Sequence, residues 1–307
     1  MKIIVLMSTY NGERFLKEQI ESVLAQDICD IGQLQLIVRD DGSRDHTVDI
    51  LKQYQEENKL TWYTGANLGP EKSFMDLLIH APDADYYAYC DQDDCWFPDK
   101  LSRAIHSLSK VDNQVQPLLY CTAFTATDAE LKPFDTGKSP LMRYTDYAHA
   151  LVYSTTLGCT FVFNHIARQL VIQYDMNTNY VLMHDWLTHK VVTIMGGTMI
   201  YDEKPSLYYR QHGSNVIGAS TTGIRDFILR VRRFLTGSGR QTRSDAARSL
   251  LHVYGDNVTA QVHSALDLVA NYRGSFSKKI QFMWDKRFYT GTVNDLFLKI
   301  LILLESV

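Results

Sequence analysis

The sequence predicts an α/β fold, a mixed but mainly parallel sheet flanked by helices, with a helical C-terminal extension. Three observations lead there. Short apolar runs of strand length, "IIVLM" (3–7), "QLIVR" (35–39), "YYAYC" (86–90) and "LLYCTAF" (118–124), alternate with stretches of helical periodicity. The first three runs each end in an unusual polar cluster, "STYNG", "DDGSRDHT" and "DQDD", and ligands of open α/β sheets bind beyond the carboxyl ends of the strands. With 307 residues, 45% hydrophobic and 21% charged, the chain can bury one large core with an appendage, or two modest ones.

The opening "MKIIVLMSTYNG" reads as a buried first strand, because its apolar stretch is shorter than that of a signal peptide and lacks a small-residue cleavage site. Phe15, Ile20, Val23 and Leu24 then form a helical apolar face opposite Glu13, Lys17, Glu18 and Glu21. A second helix is expected to start near Asp45 or Thr47 and to carry Val48, Ile50, Leu51 and Tyr54. After the third run, "PDKLSRAI" suits a helix for which Asp99 or Asp94 would serve as cap.

The pattern loosens from about residue 135 and resumes with "LVYSTTLGCTFVFN" and the helix-like "HIARQLVIQYDM", which sets a soft boundary near 130 to 150. Further on, "IRDFILRVRRFL" (224–235) puts Ile224, Phe227, Ile228, Val231, Phe234 and Leu235 on one arc. Arg225, Arg230, Arg232 and Arg233 lie outside it, and Arg240 and Arg243 fall in the loop that follows. This basic amphipathic helix suits a peripheral membrane contact or packing between subunits or domains. The membrane reading is preferred, because anionic lipid attracts arginine while the apolar arc inserts.

A formal net charge of -4 gives no global basic field, which argues against a nucleic-acid partner. The five cysteines, Cys29, Cys90, Cys95, Cys121 and Cys159, are odd in number and lack C-x-x-C or zinc-like spacing, so they read as reduced thiols in the cytoplasm. The longest apolar stretch, "LFLKILILL" (296–304), is half the length of a membrane span.

"CDQDDCW" (90–96) crowds Asp91, Asp93 and Asp94 into four positions. Such close like charges raise one another's pKa and need a positive or hydrogen-donating partner. A divalent cation with a nucleotide diphosphate is one such partner, general acid/base work is a second use, and helix capping explains one carboxylate but not three. In "RDDGSRDHT" (39–47), Asp41 belongs either to a turn or to a nucleotide contact on the same edge.

These segments resemble a known family. "STYNG" (8–12), "DDGSRDHT" (40–47), "NLGPEKSF" (67–74) and "DQDDCWFPDK" (91–100), in that order, look like the nucleotide-sugar domain of bacterial family 2 glycosyltransferases of the Rossmann-like GT-A fold. "LGCTFVFN" (157–164), "MHDWL" (183–187) and "YYRQHGSNVIG" (208–218) resemble the acceptor half of that family.

The resemblance implies one glycosyltransferase domain over 1–218, with a nucleotide-sugar half (1–130) and an acceptor half (131–218). It leaves 219–307 as a helical region for membrane or oligomer contact. It implies that Thr9, Tyr10, Asn11 and Asp41 hold the nucleoside, that Asp91 meets the ribose or the metal, and that Asp93 ligates Mn2+ or Mg2+, with His212 joining the metal or diphosphate. Asp185 would be the catalytic base of an inverting transfer, and Gly158, Cys159 and Trp186 would lie beside the acceptor.

Within the family the motifs look most like rhamnosyltransferases that use dTDP-L-rhamnose to extend a lipid-linked saccharide in surface-polysaccharide synthesis. That places the protein in the cytoplasm, peripherally on the inner face of the plasma membrane. A UDP-hexose donor and a non-catalytic membrane-surface scaffold are the alternatives. Nucleotidyl transfer is disfavoured, because "STYNGERFLKEQ" lacks a glycine-rich, basic phosphate loop.

Overall fold

The first apolar run forms β1 (Lys2–Thr9), and its unbroken hydrophobicity follows from burial on both faces. Ile4 and Leu6 point into one core while Ile3, Val5 and Met7 point into the other. A computed structural model describes residues 1–111, 115–134, 145–153, 156–212, 243–291, 293–304 and 307.

The chain continues through α1 (Leu16–Leu24), β2 (Gln33–Asp40), α2 (Thr47–Glu56), β3 (Thr61–Thr64), α3 (Gly69–His80), β4 (Tyr86–Asp91), β5 (Cys95–Trp96) and α4 (Lys100–Leu108). After these come β6 (Leu118–Thr122), β7 (Thr125–Thr127), α5 (Tyr147–Val152), β8 (Val162–Asn164), α6 (His165–Val171), α7 (His184–Ile194), β9 (Thr198–Asp202) and β10 (Leu207–Arg210). Among the described residues four helices follow, α8 (Arg243–Tyr254), α9 (Ala260–Asn271), α10 (Phe276–Trp284) and α11 (Val293–Leu303).

Seven strands make one sheet in the order β3-β2-β1-β4-β8-β6-β9, and β5-β10-β7 make a small second one. In the large sheet β8 alone runs antiparallel to its neighbours β4 and β6, so the sheet is mixed and mainly parallel, as expected. One face is covered by α1, α2 and α4, through Leu16, Ile20, Ile50, Leu51, Leu101 and Ile105. The other carries α3, α5, α6 and α7, and its core runs on without a break into α8 to α11 through Leu250, Leu266, Phe282 and Ile302.

The α2 start falls at Thr47, where the Asp45 carboxylate accepts the Thr47 N–H at 3.0 Å and the Glu13 N–H at 3.1 Å. The start of α4 departs from expectation. Asp99 occupies the cap position without a capping bond and pairs with Lys204 at 2.6 Å, while Asp94 accepts the Arg210 N–H instead. None of the crowded carboxylates is spent on a cap.

Arg243, placed by the sequence in a loop, opens α8, is half-buried, and donates to the Val152 carbonyl. The amphipathic segment 224–235 lies outside the described residues. Among the described residues, no helix is long and apolar enough to cross a membrane. The described cysteines are free thiols, with Cys90, Cys121 and Cys159 buried.

Candidate active site

Register brings the polar segments together. Thr9 pairs with Asp40 across β1 and β2, and Ser8 pairs with Asp91 across β1 and β4, so three strand ends open on one edge. The loops there are tied side chain to backbone. Tyr10 and Gln92 exchange two hydrogen bonds, Tyr10 N–H to Gln92 Oε1 at 2.9 Å and Gln92 Nε2 to the Tyr10 carbonyl at 3.1 Å. Asn11, at φ 49°, gives its N–H to Ser43 Oγ at 2.9 Å and accepts the Arg44 N–H at 2.9 Å.

Thr9 is buried, with its hydroxyl 3.4 Å from Asp40, whereas Tyr10 is exposed at the edge. The Asp41 carboxylate is also buried. It accepts the Leu68 and Gly69 N–H groups, both at 2.9 Å, and pairs with Arg39. Arg39 is itself held by Asp76 at 3.0 Å, by Ser73 at 3.0 Å and by the Ala66 carbonyl.

The cluster after β4 is built differently. Asp93 is half-buried, and its Oδ2 lies 2.8 Å from Nε2 of His212, across 119 positions of chain. Asp94 is fully buried; one oxygen accepts the Arg210 N–H at 3.2 Å, while Oδ2 has no hydrogen-bond partner among the described residues. Burial, with Asp93 and Asp185 adding like charge, pushes Asp91 up to about 7. Burial and the neighbouring Asp93 and Asp91 push Asp94 well above the carboxylate range too. Ligating atoms of Asp91, Asp94 and Cys159 lie within 4.8 Å of one another.

Two cations hold this cluster. Lys100, fully buried, donates from Nζ to the Cys159 carbonyl and sits 4.3 Å over the Trp96 ring. Burial lowers it to about 8, against the pull of Asp94 and Asp91. Arg210 clamps the loop from below, donating to the Asp93 carbonyl at 2.7 Å and to the Ala129 carbonyl, and pairing with Glu18. Its guanidinium lies 4.4 Å over the Phe15 ring, which also meets the His212 ring at 4.9 Å.

Asp185 sits in the first turn of α7 and is buried. Its carboxylate accepts the Gly158 N–H at 3.0 Å and the Trp186 N–H at 2.7 Å. Burial raises it to about 7 even though both N–H groups favour the anion. Gly158 is required by contact, since a Cβ there would lie 2.6 Å from His184 Nε2 and 3.1 Å from Asp185 Cβ.

His184 stacks on Phe74 at 3.9 Å and meets Tyr89 edge-on at 4.7 Å, and neither ring nitrogen has a partner among the described residues. Burial holds the ring neutral, at about 3.

The sequence-derived residues therefore fall into three groups. Asp93 and His212 come together at 2.8 Å, Asp91 feels the like charge of Asp93 and Asp185, and the ligating atoms that cluster round Asp91 are those of Asp94 and Cys159. Thr9, Tyr10 and Asn11 stand on the adjoining loops. Asp41 has three of its acceptor positions already filled. Of the acceptor set, Gly158 touches Asp185, Trp186 is half-buried, and the buried Cys159 lies against Asp91 and Asp94.

Sequence reasoning missed Lys100, Arg210 and His184. All three stand inside motifs it quoted, "FPDK", "YYRQH" and "MHDWL", but only packing marks the first two as internal cations.

Residues 4–122 match the family described as Glycosyl transferase family 2. A dTDP-rhamnosyl transferase of Shigella flexneri, RfbG, is 26% identical over 234 residues, covering 70% of this chain and 74% of that protein. An uncharacterized glycosyltransferase of Nostoc sp. is 28% identical over 266 residues, covering 81% and 80%. Among solved structures, the 1–349 fragment of S. aureus TarS superposes with a TM-score of 0.56 at 18% identity, over 100% of this chain and 81% of that one. The sheet order, the acidic strand ends and these likenesses agree: residues 4–122 match the family 2 glycosyltransferases, the fold is of the GT-A kind, and the likenesses support glycosyl transfer.

Proposed function

We propose that the protein transfers a sugar with inversion from a nucleoside diphosphate to a hydroxyl of a lipid-linked saccharide, and that the donor is dTDP-L-rhamnose. The observation that carries the mechanism is the setting of Asp185. A buried carboxylate held at about 7 by its surroundings, and oriented by two backbone N–H groups, is matched to take a proton near neutral pH. It accepts that proton from the acceptor hydroxyl as the oxygen attacks the anomeric carbon, on the face opposite the departing nucleoside diphosphate.

The donor set beside it fits a hard divalent cation, Mn2+ or Mg2+. Asp93 and His212 bring an oxygen and an imidazole nitrogen to within 2.8 Å of each other. Asp91 adds a second carboxylate, and ligating atoms of Asp94 and Cys159 lie within 4.8 Å of it. When bound, such a cation supplies positive charge against the diphosphate as it leaves. In this reading Thr9, Tyr10, Asn11 and Asp41 frame the nucleoside, Arg210 holds the Asp93 loop in place, and Gly158, Cys159 and Trp186 border the acceptor. Residues 1–130 then form the nucleotide-sugar half and 131–218 the acceptor half. The enzyme works in surface-polysaccharide synthesis, peripherally on the inner face of the plasma membrane.

The rhamnose assignment is supported by the name of the Shigella flexneri relative. TarS has been solved with UDP-GlcNAc, and its likeness here is one of fold. The test is release of nucleoside diphosphate from a panel of dTDP- and UDP-sugars with Mn2+, with Mg2+ and with EDTA. Metal-dependent turnover of dTDP-L-rhamnose alone is expected. Turnover of a UDP-hexose instead would keep the mechanism and replace the sugar, and inertness towards every donor would leave a membrane-surface scaffold.

A further inference from the structure

The two last helices present more apolar side chain to solvent than their own packing uses. On α10, Phe282 turns inward to meet Tyr272 and Phe288. Phe276, Ile280 and Trp284, spaced four apart on one stripe, face out, with Phe276 80% and Trp284 71% exposed. On α11, Leu298, Leu301 and Ile302 are buried, while Leu296, Ile300 and Leu303 are exposed on the other side, Leu296 at 63%. Lys299 of α11 lies 4.7 Å over Trp284 and 5.0 Å over Tyr289, which joins the two stripes into one face. A contiguous apolar face of this kind marks an interaction surface.

The surrounding charge identifies the partner. Residues 272–304 carry six basic side chains, Arg273, Lys278, Lys279, Lys286, Arg287 and Lys299, against two acidic ones, Asp285 and Asp295. This segment is thus formally +4 within a chain of net charge -4, with Lys278 paired to Asp267 and Arg287 to Asp285. A second copy seated on the face by two-fold symmetry would set like charge against like. The arginine-rich stretch 224–235 carries the same sign.

We propose that the outer face of α10 and α11 is a docking surface for an anionic lipid bilayer. The helices lie in the interface, their apolar stripes enter the acyl boundary, and the lysines and arginines meet lipid headgroups. Trp284 sits at the depth where indole rings anchor proteins to bilayers. With 11 residues, α11 is about 16 Å long and cannot span a hydrocarbon core of about 30 Å. Both helices share their core with α7, so docking would hold Asp185 at a fixed height above the lipid. The inference deepens the reading of a lipid-linked acceptor and is tested apart from it.

The full chain is sedimented with vesicles of phosphatidylglycerol and phosphatidylcholine, and with phosphatidylcholine alone. The wild type should pellet with the anionic vesicles and lose binding as salt rises. The double variant Phe276→Ser, Trp284→Ser should partition at least about tenfold less, at unchanged lipid-free release of nucleoside diphosphate. A second double variant, Leu296→Ser with Leu303→Ser, should behave alike. Equal pelleting of variants and wild type, or no pelleting of the wild type, overturns the proposal. So does a dimer seen by light scattering that these variants dissolve while vesicle binding is nil. Loss of binding only on Arg230→Glu, Arg232→Glu, Arg233→Glu would move the docking site to 224–235. Lipid-free nucleotide release reports on the catalytic reading alone, so the two fail separately.

Discussion

The acidic strand ends after β2 and after β4 lie on the same edge of one sheet, yet they handle buried negative charge in opposite ways. After β2, three of the acceptor positions of Asp41 are filled, by the Arg39 guanidinium and the N–H groups of Leu68 and Gly69. Asp40 beside it closes a turn through the N–H groups of Gly42 and Ser43 and the Thr64 hydroxyl. After β4, Asp91, Asp93 and Asp94 meet, among the described residues, a buried lysine, a histidine, a backbone N–H and the Cys159 thiol, a sparser set of donors. The first arrangement is largely met by the described residues. The second carries more acceptor capacity than the described residues fill, which suits a ligand of opposite charge.

The contrast is sharpest at Lys100, the internal counter-charge of the second cluster. Replacing it in Lys100→Met leaves the buried Asp94 and the half-buried Asp91 without that cation. The variant should lose about 3 kcal/mol of stability at about pH 7.5, between the values of Asp91 and Lys100, read from the denaturant midpoint. Asp91 is raised to about 7 in the fold, so below that pH it is already protonated and needs no counter-charge. The loss should therefore shrink towards pH 5. A deficit that stays constant from pH 5 to about pH 7.5 would mean that Lys100 serves packing rather than charge.

Asp185 tests the same economy from the catalytic side. Asp185→Asn should lower turnover at least about a hundredfold while leaving donor affinity within twofold. Because Asp185 is raised above its unfolded value, to about 7, it favours the fold while protonated and costs stability as pH rises through 7. The Asn variant should accordingly be the more stable protein at pH 8. In the wild type, kcat/KM should fall as pH drops below about 7, since the base must be unprotonated. Near-normal turnover of Asp185→Asn would remove it as the base. Asp93→Ala should weaken metal-dependent donor binding about tenfold by calorimetry and leave binding in EDTA unchanged; equal affinity in metal would place the cation away from His212.

Much of this edge is legible in the sequence because strand ends are local features. "IIVLM", "QLIVR" and "YYAYC" carry the alternation that makes β1, β2 and β4, and the polar segments after them must then share an edge. Asp93 and His212 stand 119 residues apart, and only the family motif linked them. The roles of Lys100 and Arg210 were not legible, because a lysine in "FPDK" or an arginine in "YYRQH" reads as a solvated charge until its desolvation is seen. The same limit explains Asp41: "RDDG" does not say whether Arg39 turns towards its neighbour or towards water.

The smallest expected effect separates orientation of the base from its mere presence. Gly158 gives its N–H to Asp185 and has no room for a Cβ, which would fall 2.6 Å from His184 Nε2. His184 cannot yield freely, since its ring is stacked on Phe74 and abuts Tyr89. In Gly158→Ala the strain should therefore pass to the start of α7 and shift the carboxylate rather than remove it. Turnover should fall about fivefold, equivalent to about 1 kcal/mol, at unchanged donor affinity. The acid limb of the pH profile should move up, because a weakened Gly158 N–H bond stabilises the anion less. An unmoved limb with reduced turnover would mean that the N–H positions the base without tuning it, and the electrostatic contrast with the closed Asp41 site would then rest on the β4 cluster alone.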